Sequence, residues 1–284
     1  MFFSFIETEH IPKRDLSIKT EPIPERVLSI SQIVADKGPI DEKELNKILI
    51  PSKLSTATTS YFGPVFETAI ELGLIGYNDE RKVVFKGKNE EIKSLSSFRL
   101  FCNSIVFSEK TSDFYKIISC FLEANDEWLS YGSVTTSPDV IRLINNETGI
   151  PSLKLEKDVI LGVRFWINFL GFGFFQEQAK VFLPNMYTAL KDFMVLGSIE
   201  KSKEYSVEDF LDNLHVGSAV ALKNAKITQN LNLAMSNALR LLHDNKEIEL
   251  KKHLDSAKIW HLFPNEEHEF TSDITHIIVK KVVK

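Results

Sequence analysis

The spacing of apolar residues predicts an amphipathic helix followed by a short hairpin in the first third of the chain. Between residues 62 and 73 the apolar positions recur at i, i+3, i+4, i+7, i+8 and i+11, which places them on one helical face. Gly73 is suited to ending this helix because glycine tolerates a positive φ. Two short β-rich runs follow, 74–77 and 82–86, joined by the polar turn 78–81. A helix that runs directly into a charged hairpin is typical of the third helix and wing of a winged helix-turn-helix.

Two further helices precede this stretch. Residues 25–37 and 41–49 both have apolar positions at helical spacing, so the chain order is helix, helix, helix, hairpin. Gly63-Pro64 interrupts the third helix, because proline lacks an N–H and clashes with the preceding turn. Either the helix kinks there or it begins near Pro64, and the second alternative is favoured because proline suits the first helical turn.

The same pattern recurs 98 residues later. Residues 170–183 align without gaps to residues 72–85, and the apolar-turn-apolar rhythm is kept throughout. A helical face ending at Gly171 lies upstream, and two helices are predicted before it, at 112–124 and 136–146. The repeat predicts a second three-helix unit with its own hairpin.

A third copy is fainter. Its helices are predicted at 185–196, 207–214 and 228–243, its wing at 247–252 and 259–263, and the tail 274–283 is expected to add a strand. The predicted fold is mainly α with small β-hairpins (α+β), as tandem winged helix-turn-helix units joined by a linker helix. The chain is divided into an N-terminal arm (1–24), a first unit (25–88), a linker helix (89–108), a second unit (109–184), a third unit (185–264) and a C-terminal strand or tail (265–284).

The charge balance restricts any nucleic-acid contact to a small surface. The chain carries a net charge of −5, and residues 1–90, 91–200 and 201–284 carry −2, −3 and 0. Neutralisation of phosphates supplies most non-specific affinity for DNA. We therefore expect DNA binding by the isolated chain to be weak or narrowly localised.

In a winged helix-turn-helix, the start of the third helix enters the major groove and the wing meets the backbone. In the first unit the residues at these positions are the candidate DNA contacts: Lys53, Thr56, Thr59, Ser60, Tyr61, Arg81 and Lys82. In the second and third units a helical wheel places the candidates Lys157, Arg164, Asn168 and Arg240 on the outward side of the third helix. Alternative structural roles stay open for them. The Ser/Thr run could only cap and link helices, the turn at Arg81 could be a solvated hairpin tip beside Asp79 and Glu80, and Arg164 could pair with Glu156 or Asp158. Trp166, Phe172, Phe174 and Phe175 are expected in the core rather than as base-stacking residues.

Catalytic motifs do not occur in the sequence. It has no GxxxxGK[ST], no complete dinucleotide fingerprint, no GxSxG and no HExxH. His253, His261 and His268 do not follow a zinc-ligand spacing, so neither a metal nor a cofactor is predicted. Glu249-Leu250-Lys251 imitates half of a metal-dependent nuclease motif, and a nuclease subunit is the weaker alternative to a protein that is not an enzyme.

The remaining features indicate a cytoplasmic location. No apolar run reaches about 18 residues, so no membrane span is expected. The first ten residues lack a basic n-region, which makes them a poor signal peptide. Cys102 and Cys120 have no CxxC spacing and are expected as buried free thiols in a reducing compartment.

Four short motifs resemble one known family. They are Ile50-Pro51-Ser52-Lys53-Leu54, Glu71-Leu72-Gly73-Leu74-Ile75, Arg164-Phe165-Trp166 and Leu170-Gly171-Phe172-Gly173. Over roughly residues 25–185 the chain resembles the DpdG-like family of bacterial 7-deazaguanine DNA-modification loci, which lie among phage-defence genes. The resemblance implies a non-catalytic subunit that contacts DNA or helps to assemble a modification or restriction complex.

Two hypotheses follow. The first is a non-enzymatic subunit that binds duplex DNA within a multi-protein complex, with phosphate contacts from the wings. The second is a scaffold whose winged helices bind partner subunits instead of DNA. Whether the chain forms a homodimer stays open at this point.

Overall fold

The structure is a computed structural model, and it describes residues 16–51, 61–130, 138–148, 157–176 and 181–281. Within these residues the helices are α1 (Pro24–Lys37), α2 (Glu42–Leu49), α3 (Phe62–Glu71), α4 (Leu95–Ile105), α5 (Asp113–Glu123), α6 (Pro138–Thr148), α7 (Lys157–Leu170), α8 (Tyr187–Leu196), α9 (Val207–Asn213), α10 (Ala225–Thr228) and α11 (Leu233–Asp244). The strands are β1 (Ile75–Tyr77), β2 (Val83–Phe85), β3 (Gly173–Gln176), β4 (Val181–Pro184), β5 (Glu204–Ser206), β6 (Ile248–Lys251), β7 (Trp260–His261), β8 (Asp273–Ile274) and β9 (His276–Val279). The prediction of a mainly α-helical α+β fold with small antiparallel hairpins is confirmed.

The first unit comprises α1, α2, α3 and the antiparallel hairpin β1–β2. Val27 of α1 and Val65 and Ala69 of α3 are fully buried where the two helices pack together. Ile40, between α1 and α2, forms an antiparallel bridge with Val83 of β2. The hairpin is thereby attached to the start of the unit as well as to α3.

Helix α3 begins at Phe62, with Tyr61 at its N-cap. Pro64 therefore lies in the first helical turn, where backbone N–H groups have no intrahelical partner to lose. This agrees with the favoured alternative, a helix that begins near the proline.

Glycine ends the third helix in the first and second units by the same backbone geometry. Gly73 has φ of 73° and Gly171 has φ of 83°. In each case the amide of the next residue, Leu74 or Phe172, donates to the carbonyl five residues back, at 2.9 and 3.1 Å. This is the hydrogen bond of a glycine-terminated helix, and it reverses the chain into the following strand.

The second unit comprises α5, α6, α7 and the hairpin β3–β4. Phe175 of β3 is paired with Phe182 of β4, and the ring centroids are 5.0 Å apart. Phe182 is fully buried and contacts Phe121 of α5 at 5.5 Å. One face of the hairpin therefore closes the core of the helices before it.

The third unit comprises α8, β5, α9, α11, β6 and β9, with an insertion of residues 252–275 between its last two strands. The strands form one antiparallel sheet in the order β5-β9-β6. The predicted wing of 247–252 with 259–263 is wrong, because β6 pairs with β9 instead, whereas β7 pairs with β8 inside the insertion. The physical reason is competition between partners: Ile277 and Val279 of β9 are fully buried beside β6, whereas the run 259–263 is bonded to β8 and, through His261, to Gln229 and Leu231.

Helix α4 was predicted as part of one linker helix and instead follows a short 3-10 turn, Asn89–Ile92. Ser94 caps it by accepting a hydrogen bond from the amide of Ser97 at 3.1 Å. Its residues Phe98 and Cys102 are fully buried. Because α4 packs against α1, α7 and α8, it joins the three units through a shared core.

The extended segment 16–23 also crosses between units. Ser17 lies 3.0 Å from the hydroxyl of Thr68 on α3, whereas the indole of Trp166 on α7 donates to the carbonyl of Pro22 at 2.9 Å. Gly162 of α7 lies against the backbone at Lys19, where a Cβ would stand 2.0 Å from the carbonyl oxygen. Only glycine permits this approach of segment to helix.

Cys102 and Cys120 are buried free thiols, which confirms that prediction. Burial raises the pKa of Cys120 to about 12 and also raises the pKa of Cys102. Neither thiol is therefore a nucleophile at neutral pH. In the part of the chain that the structure describes, no helix has the length and apolarity needed to cross a bilayer.

Candidate nucleic-acid interface

The turn between β1 and β2 presents a basic side chain on a well-ordered backbone. The side-chain oxygen of Asn78 accepts hydrogen bonds from the amides of Glu80 and Lys82, at 3.1 and 2.9 Å. Arg81 has a left-handed φ of 58°, and its amide donates to the carbonyl of Asn78 at 2.9 Å. The side chain of Arg81 is exposed, and Lys82 lies 3.8 Å from Glu80. Such an exposed pair contributes little free energy, so a phosphate could replace the carboxylate.

Of the candidate residues that lead into α3, the structure describes only Tyr61. Tyr61 donates weakly to the carbonyl of Leu49 at 3.4 Å, and the guanidinium of Arg26 lies 4.9 Å from the centre of its ring. The other candidates of this approach, Lys53, Thr56, Thr59 and Ser60, lie outside the described residues. On the helix itself the side chain of Glu67 is exposed, which is unfavourable for a helix placed against phosphates.

Helix α7 carries two of the candidates on its outer side. The guanidinium of Arg164 lies 4.3 Å from the centre of the Phe175 ring, and Asn168 is exposed one turn further on. Phe165 stands between them and is 48% exposed. The side chain of Lys157, at the start of α7, lies outside the described residues. The outer side of α7 therefore carries Arg164, which makes a cation–π contact with Phe175, together with Asn168 and Phe165.

The prediction that Trp166, Phe172, Phe174 and Phe175 are core residues is correct for two of them. Trp166 and Phe172 are fully buried, and Phe175 is half-buried beneath Arg164. Phe174 is 45% exposed, because alternate residues of a strand face opposite sides and the other side of β3 faces the core.

Arg240 does not face outward, and that prediction is wrong. It is 3% exposed, and Ser236 one turn earlier is fully buried. Its guanidinium donates to the carbonyls of Phe270 at 3.1 Å, Phe263 at 2.8 Å and Thr271 at 2.8 Å. A helical wheel placed Arg240 opposite the core face, but the insertion 252–275 covers that side of α11. Arg240 is therefore a structural residue that holds the insertion.

Four histidines of the third unit pair with carboxylates, and Glu249 pairs with two lysines. His243, His253, His261 and His268 lie 2.7–3.1 Å from Glu269, Glu204, Asp273 and Asp244 respectively. Glu249 of the suspected nuclease half-motif pairs with Lys251 and Lys280, and hydrogen bonds from these two ammonium groups lower its pKa to about 2. A carboxylate neutralised by two lysines is a poor ligand for a divalent ion.

Asp273 of β8 gives the third unit a pH-dependent contact. Hydrogen bonds from Lys252 at 2.7 Å, His261 and Ser272 lower its pKa from 3.8 to about 2. A lowered folded-state pKa stabilises the protein above the unfolded value, and this stabilisation is lost as the pH falls from about 4 towards 2. We expect Asp273→Asn to lower the free energy of unfolding by about 1 kcal/mol at pH 7, and by progressively less between pH 5 and 3.

Urea unfolding of the two proteins across that pH range checks this expectation. Asp255→Asn, an exposed change in the same insertion, serves as the control and should leave stability unchanged at every pH. A constant difference between wild type and Asp273→Asn down to pH 3 would contradict the proposed linkage.

A polar cluster between α4 and α8 was not found from the sequence. Arg99 donates to Asp192 through Nε at 2.8 Å and Nη2 at 3.1 Å, and Asn103 donates to the same carboxylate at 2.8 Å. Arg99 and Asp192 are 93 residues apart, so no local spacing connects them. Covariation of the two positions among relatives is the signal that could reveal such a pair.

Comparison with known proteins gives one match. A family model described as DpdG-like matches residues 16–256, a range that begins at the segment packed on α7 and ends within the insertion of the third unit. No curated protein and no solved structure matches the chain. Since the model covers most of the sequence, this chain belongs to the DpdG-like family.

Proposed function

We propose that this protein is a non-catalytic, cytoplasmic subunit of a bacterial DNA-modification or phage-defence complex, in which tandem winged-helix units contact duplex DNA. Membership of the DpdG-like family supports an association with DNA-modification loci. The pairing of Glu249, in the nuclease-like half-motif, with two lysines supports a role without catalysis. The multi-protein complex supplies whatever chemistry acts on the DNA.

Strand topology supports the winged-helix assignment. A winged helix has the order helix, strand, helix, helix, strand, strand, and its first strand pairs with its last. The third unit follows this order with the sheet β5-β9-β6. In the first unit the bridge between Ile40 and Val83 corresponds to the pairing of the first strand with the last.

The observation that carries the proposed DNA contact is the turn at Arg81. An exposed arginine on a backbone fixed by Asn78 can donate to phosphate oxygens with little loss of conformational entropy. It lies in the wing, where such proteins touch the DNA backbone. With a net charge of −5, contact limited to one hairpin and the approach to α3 fits a weak binder within a larger assembly.

The third unit is not assigned a groove contact. Helix α11 packs against α8, β4, β6 and α5, and Asn237 donates to the carbonyl of Pro184 in the second unit at 3.1 Å. A helix enclosed in this way cannot enter a major groove. We therefore place no DNA contact on α11.

Removing the two cations of the first hairpin tests the proposal. We expect Arg81→Ala with Lys82→Ala to weaken binding to a 20-base-pair duplex by about five- to tenfold in low salt, and to reduce the slope of log K against log [salt] by about 2. Fluorescence anisotropy of labelled duplex in a salt series measures both quantities. Lys201→Ala with Lys223→Ala makes the same charge change on exposed sites of the third unit and should have little effect. Equal weakening by the two double variants would contradict a localised contact.

One observation favours a second function, a scaffold that binds protein subunits. Phe165 on the outer side of α7 is 48% exposed, and α3 exposes the acidic side chain of Glu67, so neither helix presents a uniformly basic face. If the protein is such a scaffold, the wild type does not bind duplex DNA at low ionic strength. Phe165→Ser then removes partner subunits from the native complex in a pull-down, whereas the variant lacking Arg81 and Lys82 retains them.

A further inference from the structure

The cleft between α4 and α8 is a concavity, lined by both charged and apolar side chains, that the DNA-contact proposal does not use. Its volume is about 610 Å³, enough for a small anionic ligand. The residues that line it are Ser96, Ser97, Arg99, Leu100, Tyr187, Thr188, Lys191, Asp192 and Val195. They combine two cations and four hydroxyl groups with a single carboxylate.

The carboxylate of Asp192 orients the guanidinium of Arg99 through two hydrogen bonds. Asp192 is the more buried partner, with 8% of its side chain exposed against 25% for Arg99. A guanidinium has five N–H donors, and the bonds from Nε and Nη2 to Asp192 use two of them. Asp192 also accepts from Asn103. The remaining donors of Arg99 are therefore available on the side away from Asp192.

Lys191 is held in a similar way by a group outside the cleft. Its ammonium lies 2.9 Å from Glu247 and 5.0 Å from the centre of the Tyr187 ring. Burial lowers the pKa of Lys191, but hydrogen bonds to Glu247 and Tyr187 outweigh this and raise it overall, so the amine stays protonated. Of the two carboxylates that pair with these cations, Asp192 lines the cleft and Glu247 does not, so an entering anion meets Lys191 before it meets Glu247.

Hydroxyl groups extend the donor set. Ser96 is exposed in the first turn of α4, and Thr188 is half-buried in the first turn of α8. Across the described ranges of the chain, neither hydroxyl has a hydrogen-bond partner in the protein. Leu100 and Val195 provide the apolar part of the lining. Fixed cations and unused hydroxyls around one cavity match the acceptor-rich surface of a phosphate group.

We propose that the α4–α8 cleft binds a phosphate group, through Arg99 and Lys191 with the hydroxyls of Ser96 and Thr188. The phosphate belongs either to a free nucleotide or to the DNA backbone, and both present the same tetrahedral anion. The site is separate from the turn at Arg81 and stands whether or not that turn contacts DNA. A ligand bound there would lie where α4 packs against α8 of the third unit.

Titration calorimetry of the full chain with inorganic pyrophosphate in low salt tests the site. We expect saturable binding with a Kd on the order of 0.1 mM in the wild type. Ser96→Glu places a carboxylate at the mouth of the cleft without removing the Arg99–Asp192 pair, and should weaken binding at least about tenfold. Ser29→Glu on α1 adds the same charge at an exposed position outside the cleft and should leave the affinity within about twofold of wild type.

The outcomes separate the two sources of phosphate and the two proposals. If a 20-base-pair duplex displaces pyrophosphate, the site binds the DNA backbone. If the duplex does not affect pyrophosphate binding, the site binds a free nucleotide. The variant lacking Arg81 and Lys82 should bind pyrophosphate normally, so failure of the wing contact leaves this result intact. Absence of binding at millimolar pyrophosphate, or equal affinity of Ser96→Glu and Ser29→Glu, overturns the inference.

Discussion

Replacing Arg240 with alanine is expected to lower the free energy of unfolding by about 3 kcal/mol, which in a chain of 284 residues corresponds to a fall in Tm of roughly 5 °C. The side chain donates to the carbonyls of Phe263, Phe270 and Thr271, and it is 3% exposed. Removing it leaves those carbonyls without this donor and opens a cavity beside α11. Burial lowers the pKa of Arg240, so part of the gain from its hydrogen bonds is already offset by desolvation.

Local and global readouts together check this prediction. Hydrogen exchange should accelerate first in the amides of residues 262–272, because these lose their attachment to α11. Arg26→Ala removes an exposed guanidinium that donates to one carbonyl, Glu21 at 2.9 Å, and should cost less than about 1 kcal/mol. If Arg240→Ala melts within about 2 °C of wild type, the structural role assigned to Arg240 is incorrect.

A single added methyl group at Gly162 is expected to destabilise the chain by about 2–4 kcal/mol. Alanine is the better helix former by about 1 kcal/mol, so helix propensity alone predicts the opposite sign. Here the new Cβ would stand 2.0 Å from the carbonyl oxygen of Lys19. The obstacle is backbone, which cannot rotate away as a side chain could, so segment 16–23 must leave α7.

Displacement of that segment gives the test a specific signature. Gly162→Ala should lose the hydrogen bond from Trp166 to the carbonyl of Pro22. Its tryptophan fluorescence should shift towards that of a solvated indole, and its midpoint of unfolding in urea should be lower. Asn168→Ala exchanges an exposed residue on the same helix and should stabilise by about 0.5 kcal/mol. A Gly162→Ala protein as stable as this control would mean that the segment does not lie against α7 in solution.

The repeat of helix and hairpin could be predicted because its signals are local. Gly73 and Gly171 each follow an apolar helical face and precede a β-rich run, and both have positive φ in the structure. Helix spacing and a glycine stop act within about 12 residues, which is the range over which sequence patterns are informative. The bounds of α1 and α3 and the end of α7 were therefore close to those expected.

The errors lie where an element's environment comes from far along the chain. The outward assignment of Arg240 failed because residues 263–271 fold over α11, and periodicity of one helix carries no information about what covers it. The wrong wing partner for β6 has the same origin. Two apolar runs competed for β6. Strand β9 pairs with it and buries Ile277 and Val279, whereas the run around Trp260 is bonded to β8 and residues 229–231.

The candidate interface was predictable only in part. The turn at Arg81 was identified correctly as a polar hairpin tip, since such turns are short-range structures. The cations of the α4–α8 cleft had no detectable pattern, because Arg99 and Asp192 meet only after the units have packed.

By itself, the sequence determined the helical faces, the glycine stops and the hairpins, because each depends on residues that are neighbours along the chain. The tertiary structure alone decided which strand completes the third sheet, which arginine is buried and which cations face a common cleft. Those outcomes depend on burial and charge pairing between segments far apart in sequence, whose contacts exist only once the core has formed.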